Sequence, residues 1–234
     1  MTESKASIRL RLRKLRDSVH AARGEEAAQR LQDHLVPRLV HVKDLAQDRL
    51  TPSHPGDTEL NVNPSLKQIS RADSRHQSKP FNGFDFRRPA LVVAGYWPMG
   101  SEMDPRPLMM SLQDQGARLA LPVVTARNEA LSFRAFSFAD ALKPGLCGSL
   151  EPTPDQPLLT PSLLLVPLLG FDRKGCRLGQ GGGFYDRTLA SLRKSRQLQA
   201  IGIAYAAQEV ASLPCQAHDQ KLDAIATEEG FIEI

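Results

Sequence analysis

Between Gly170 and Asp186 the sequence reads GFDRKGCRLGQGGGFYD, interleaving Asp172, Arg173, Lys174, Arg177 and Asp186 with Gly175, Gly179, Gly181, Gly182 and Gly183. Glycines let a backbone take positive φ and come closer to a ligand than a chain bearing Cβ atoms. Arg173, Lys174 and Arg177 add fixed positive charge, and an arginine fork can hold phosphate oxygens through two donors at once. Asp172 and Asp186 oppose that charge. Two carboxylates beside a phosphate cradle make sense when a hard divalent cation, usually magnesium, sits between acid and phosphate. A plainer reading stays open: Asp186 also suits the dipole of a following helix, and glycine clusters also make simple turns.

The elements that flank this loop favour the phosphate reading. Leu163 to Leu169 is a short, nearly continuous apolar run, as in a strand buried on both faces. Phe184, Thr188, Leu189 and Leu192 after the last glycine have helical spacing, so the order is strand, glycine loop, helix. Free N–H groups at such a helix start, with the positive end of the dipole behind them, form an anion site. A Walker loop is excluded, because no Lys followed by Ser or Thr stands after the second glycine. A dinucleotide fingerprint fits only in part: Phe184 occupies its third glycine position, and the next strand candidate, QAIGIAY, ends without a ribose-binding acid.

The stretch PLLGFDRKGCRLGQGGGFYDRTL resembles the signature of the 5-formyltetrahydrofolate cyclo-ligase (methenyltetrahydrofolate synthetase) family, roughly P-x-x-x-F-D-x-x-G-x-R-L-G-x-G-x-G-[FY]-Y-D. Phe171, Asp172, Gly175, Arg177, Leu178, Gly179, Gly181, Gly183, Tyr185 and Asp186 all fall in place. A second family motif, K-x-x-[LI]-R, is matched by Lys5 and Arg9, one helical turn apart and able to reach one polyphosphate. The resemblance implies an ATP- and Mg2+-dependent enzyme converting 5-formyltetrahydrofolate to 5,10-methenyltetrahydrofolate with release of ADP and phosphate. By it, Arg177 and Tyr185 are catalytic. ATP falls to Lys5, Arg9, Arg177, Leu178, Gly179, Gln180, Gly181, Gly182, Gly183, Phe184 and Tyr185. The folate falls to Trp97, Glu102, Gln180, Gly181, Gly182, Gly183 and Phe184, and the metal to Asp186 and Asp219. His218, beside Asp219, matches no family catalytic position and reads as a surface histidine.

The rest of the chain supplies the scaffold. Ile8, Leu12, Leu15 and Val19 mark one face of a basic first helix, whose Lys5, Arg9, Arg11, Arg13, Lys14 and Arg16 crowd the remainder; for most of these a solvated face is expected. A second helix is expected from Glu25 to about Val42, with Ala28, Leu31, Leu35 and Leu39 inward. From about 44 to 89, Pro, Ser, Asn and Gln dominate without a period, which reads as a disordered insertion longer than family members usually carry. ALVVAGYW then gives a strand, Glu102 the loop at its carboxyl end, and Asp104-Pro105 the start of a helix. Arg118–Val124, LSFRAF and QAIGIAY are further strands, and Glu151–Pro161 a proline-rich connection, none with evident chemistry. The expected fold is α/β, a single domain whose largely parallel central sheet carries helices on its faces, with a basic N-terminal helix.

At 234 residues and 41% apolar content the chain can bury one sizeable core. A net charge of +4 and a pI near 9.1 suit small anions as well as nucleic acid. A nucleic-acid binder using the basic helix leaves the glycine loop unexplained and is disfavoured; a non-catalytic phosphometabolite binder on the same fold is the other alternative. Cys147, Cys176 and Cys215 form no CxxC pair, so neither a disulfide framework nor a zinc site is indicated. The charged start and the lack of any ~20-residue apolar run predict a cytoplasmic protein without a membrane span.

Overall fold

Strand β6, Leu163–Pro167, shows how this chain makes a two-sided core. Leu163 and Leu165 point into one apolar cluster and Leu164 and Val166 into another, the alternation that a strand with both faces covered requires. All four are fully buried, and each such side chain contributes about 1.5–3 kcal/mol of transfer free energy.

The computed structural model describes residues 3–40, 91–195 and 198–234; the insertion expected at about 44–89 lies outside the described residues. In chain order the other elements are α1 (Lys5–Val40), β1 (Val92–Ala94), α2 (Arg106–Asp114), β2 (Arg118–Val123), β3 (Ser132–Phe136), β4 (Leu142–Pro144), β5 (Leu150–Pro152), β7 (Gly170–Phe171), β8 (Arg177–Leu178), α3 (Phe184–Ser195), β9 (Gln199–Ile203), β10 (Ala224–Thr227) and β11 (Gly230–Glu233). The central sheet is seven-stranded in the order β11-β10-β9-β6-β1-β2-β3. Its inner pairs are all parallel, and each edge is closed by an antiparallel strand, β3 on one side and β11 on the other. This is the expected α/β architecture. From β1 the chain crosses to β2, whereas from β6 it crosses the other way to β9, so β1 and β6 flank the topological switch point, where such sheets bind ligands at their carboxyl ends.

Helix α1 breaks at Arg23, whose φ of −154° and ψ of 24° are non-helical, so the two expected helices exist but abut directly. In the second stretch Ala28, Leu31, Leu35 and Leu39 are buried, as their period requires. In the first, Ile8 and Leu12 are buried against Leu169, Cys176, Leu178 and Leu213. Ser4 caps this helix by accepting the Ser7 N–H on Oγ at 3.2 Å. Two expectations fail here: Leu15 is 37% exposed, while Arg16 is 5% exposed and occupies the buried stripe that Ile8 and Leu12 begin at four-residue spacing. The second core helix, α2, starts one residue later than expected, although Asp104 Oδ1 still accepts the Arg106 N–H at 2.9 Å.

Candidate active site

The stripe of Ile8 and Leu12 fixes where α1 begins. By docking on Leu169 and Leu178 it lays the first turns of the helix over the carboxyl end of the sheet, so that Lys5 and Arg9 enter a cavity of about 870 Å³. That volume lies in the range of small-molecule sites. The β1–α2 loop supplies Tyr96, Trp97, Met99 and Glu102 to the same cavity. The segment from Arg177 to Arg187 forms the facing wall, and Gln216, His218 and Asp219 close the rim. Every residue assigned above to ATP, folate or metal lines this one space.

Arg177 reaches the cavity because the chain reverses ahead of it. β7 and β8 pair antiparallel, with Phe171 opposite Arg177, and the turn between them closes through the Gly175 N–H on the Asp172 carbonyl at 3.1 Å. This hairpin corrects the reading of its tip. Asp172 is 1% exposed and accepts three backbone N–H groups, from Lys174 (2.9 Å) and Cys176 (3.1 Å) on Oδ1 and from Leu213 (3.0 Å) on Oδ2. It holds the turn together and is not a candidate cation ligand. Arg173 pairs on the surface with Glu209 at 2.7 and 3.1 Å, and neither it nor Lys174 lines the cavity.

Arg177 itself is 5% exposed at its side chain and donates to Asp186 Oδ1 at 2.7 Å and to the Gln220 carbonyl. Asp186 Oδ1 also accepts the Gln220 N–H at 2.9 Å. Across the rim, Asp219 Oδ2 accepts from Lys5 Nζ and from the Gln216 N–H, both at 2.8 Å. Burial acts to raise the Asp219 pKa, but Lys5, the Gln216 N–H and His218 outweigh it and hold the carboxyl below its usual range. His218 is 74% exposed with Nε2 3.7 Å from Asp219 Oδ1, a surface histidine that also contributes to the rim. Among the described residues no three His, Cys, Asp or Glu side chains gather as a metal site; the acids that line the cavity are Glu102, Asp186 and Asp219.

The glycines differ in what the fold asks of them. Gly181 and Gly183 have φ of +105° and +65°, a region side chains disfavour. Gly179 has no such constraint, and a Cβ built on it would meet no described heavy atom within 4 Å. The carbonyl of Gly179 is held by Arg9 Nε at 3.0 Å, and Arg13 donates to Gln180 Oε1 at 2.7 Å, so α1 grips the loop at two points. On the opposite wall Glu102 is buried, with the Met99 N–H donating to Oε2 at 3.1 Å. Burial pushes its carboxyl pKa up, against the Met99 N–H, Arg16 and Gln180. Burial, reinforced by the charge of Glu102, likewise raises Tyr185, which therefore stays a neutral phenol. Trp97 is half-buried, stacks edge-on to Phe136 at 6.1 Å and carries the Arg106 guanidinium 4.9 Å from its ring centre, so it both belongs to the core and presents a face to the cavity.

Sequence reasoning missed one wall. Asn128, Leu131, Cys147, Ser149 and Leu150 line the cavity from segments to which no chemistry was assigned. Their loops are brought over the sheet by long-range packing, and no local spacing announces it.

The pattern of the 5-formyltetrahydrofolate cyclo-ligase family matches residues 65–228. The chain is 34% identical to the 5-formyltetrahydrofolate cyclo-ligase of Haemophilus influenzae over 141 residues, 58% of this chain and 75% of the relative. It is 36% identical to that of Escherichia coli K12 over 145 residues, 59% and 78% respectively. Its fold superposes on the NMR structure of Aquifex aeolicus 5,10-methenyltetrahydrofolate synthetase with a TM-score of 0.63 at 23% identity, covering 98% of this chain and 92% of the other.

Proposed function

This chain belongs to the 5-formyltetrahydrofolate cyclo-ligase family and is an enzyme of that activity, and from that premise we propose that its cavity converts 5-formyltetrahydrofolate to 5,10-methenyltetrahydrofolate with the use of ATP and magnesium. The observation that carries this reading is the convergence of Lys5, Arg9, Arg177 and an unconstrained glycine, Gly179, on the space that Glu102 and Trp97 face from the other side.

A formamide oxygen is a poor leaving group. Transfer of the terminal phosphoryl group of ATP to that oxygen releases ADP; attack by N10 on the activated carbon then forms the ring C–N bond, and the C–O bond breaks as phosphate leaves, with the N10 proton passing to the departing phosphate. Little of this needs covalent help from the protein, whose task is placement and charge neutralisation. Lys5 and Arg9 neutralise the polyphosphate from the start of α1. The N–H groups of Gly179 to Gly183, ahead of α3, cradle its oxygens. Arg177, fixed by Asp186 and Gln220, meets charge developing on the transferred group. Glu102 accepts N–H donors of the pterin, Trp97 offers its face to a ring, and Tyr185, neutral by burial, donates a hydrogen bond without carrying charge.

Magnesium is bound through one or two carboxylates together with phosphate oxygens and waters, and the donor set of Asp186 and Asp219 at a phosphate cradle fits that demand. Those two residues would hold it, and it would supply charge compensation between acid and phosphate. The test is the appearance of methenyltetrahydrofolate absorbance with 5-formyltetrahydrofolate, ATP and Mg2+ together, and its loss when each is omitted in turn. Turnover that persists without ATP would overturn the phosphoryl-transfer reading.

A further inference from the structure

Arg16, expected on the solvated face of α1, is buried instead, and the cavity lining does not include it. Its Nε donates to Ser101 Oγ at 3.0 Å, and Ser101 donates in turn to Asp17 Oδ1, so the guanidinium is anchored one residue from Glu102 in the chain. Its Nη1 is buried without a hydrogen-bond partner among the described residues and stands 3.8 Å from Glu102 Oε1, inside ion-pair range but beyond hydrogen-bond reach. The other oxygen of Glu102 already has the Met99 N–H. A buried guanidinium nitrogen left short of a partner is costly, and fold stability alone would favour an apolar side chain here, continuing Ile8 and Leu12.

We propose that Arg16 is the positioning residue for Glu102, presenting Nη1 to Oε1 so that the carboxylate is held in place for the N–H donors of the folate. This rests on the reading of Glu102 as a folate contact. The gap of 3.8 Å is one a small rotation of either side chain closes, so the pair tightens when a ligand draws on Glu102. Arg16 also opposes the cost of burying a negative charge, which otherwise favours the protonated acid. A protonated Glu102 would turn a donor toward donors and lose its use as an acceptor. The other groups facing Glu102 are Tyr96 in its own loop, Tyr185 on α3 and the neutral amide of Gln180 in the glycine loop, with Asp17 behind Ser101. Both tyrosines are raised by burial and stay neutral through the physiological range, so neither changes charge beside Glu102.

The sign follows. Removing Arg16 lifts the Glu102 pKa further above its usual value, so the lost folate affinity is greatest at low pH and returns as pH rises and the carboxylate ionises. The experiment measures KM for 5-formyltetrahydrofolate and for ATP between pH 6 and pH 9 in wild type, Arg16→Gln, Glu102→Gln and the double variant. Arg16→Gln is expected to raise the folate KM about tenfold or more at the low end of the pH range, the effect of losing a charged partner, with partial recovery as pH rises and little change in the ATP KM. In the Glu102→Gln background the same change should add nothing, because the partner is gone. Should Arg16→Gln fail to fold, Ser101→Ala, which removes only the anchor of Nε, carries the same expectation at smaller amplitude. A folded Arg16 or Ser101 variant with unchanged folate KM and pH profile, or effects of Arg16 and Glu102 that simply add, would overturn the proposal. Unchanged folate KM in Glu102→Gln would instead sink the reading of Glu102 on which it stands.

Discussion

Replacing Gly179 by alanine separates a phosphate cradle from a simple turn, because the two readings predict opposite results. The new methyl group meets no described heavy atom within 4 Å, and the backbone of Gly179 is not in the left-handed region, so the fold accepts it. Alanine there restricts the unfolded chain and should stabilise the protein by about 0.4–1 kcal/mol. For a chain of this size that corresponds to a Tm higher by about 1–4 °C. If phosphate oxygens approach the loop backbone as proposed, the same methyl group occupies their space. Overfilling a close contact by one methyl costs about 1–3 kcal/mol, which raises the KM for ATP about 5- to 150-fold. Gly183→Ala is the control: at φ +65° it should lower the Tm by imposing a cost of about 1–2 kcal/mol on the backbone. Thermal unfolding by circular dichroism and methenyl progress curves at varied ATP measure the two effects separately. A Gly179→Ala enzyme that is more stable and has a wild-type ATP KM would show that no ligand approaches there, and the cradle would have to be abandoned.

Arg177→Lys keeps the charge but cannot span Asp186 and the Gln220 carbonyl together, so turnover should fall about 10²- to 10³-fold in a protein that still folds; a folded variant at the wild-type rate would remove Arg177 from the chemistry. Asp186→Asn should raise the Mg2+ concentration for half-maximal velocity about tenfold or more, whereas a magnesium titration superimposing on wild type would place the ion elsewhere. Asp172→Asn replaces an acceptor of three N–H groups by a side chain that is half donor, and should cost about 1.5–3 kcal/mol in urea unfolding. It should leave the magnesium titration unchanged, and a shifted titration in a fully stable variant would return Asp172 to the metal.

The contrast between Asp172 and Asp186 shows what sequence spacing can and cannot convey. Both stand in the same glycine-rich stretch and both fit a cation beside phosphate, yet β7 and β8 form a hairpin that turns Asp172 inward to cap its own turn and returns Arg177 to the cavity. Strands two residues long carry no readable period, so the reversal was invisible. Longer patterns were legible: the run at β6, the stripe of Ala28, Leu31, Leu35 and Leu39, and the strand-to-loop transition that places Glu102 at the carboxyl end of the sheet. Arg16 continues Ile8 and Leu12 at four-residue spacing, but a charged side chain in such a stripe ordinarily marks its solvated margin, so the period alone does not announce its burial. The terminal hairpin of β10 and β11, closed by Thr227 Oγ1 accepting the N–H groups of Glu229 and Gly230, lies in four-residue strands too short to declare themselves.

The ion pair between Lys5 and Asp219 joins residues 214 positions apart. A growing chain could therefore pair β1 with β2 and β6 well before the cavity has its rim, since Gln216 and Asp219 leave the ribosome after every inner strand but β10. The first turn of α1 must wait for the arrival of its partner, and the core itself closes only with β10, whose Ala224, Ile225 and Ala226 complete both apolar clusters a few residues after Asp219.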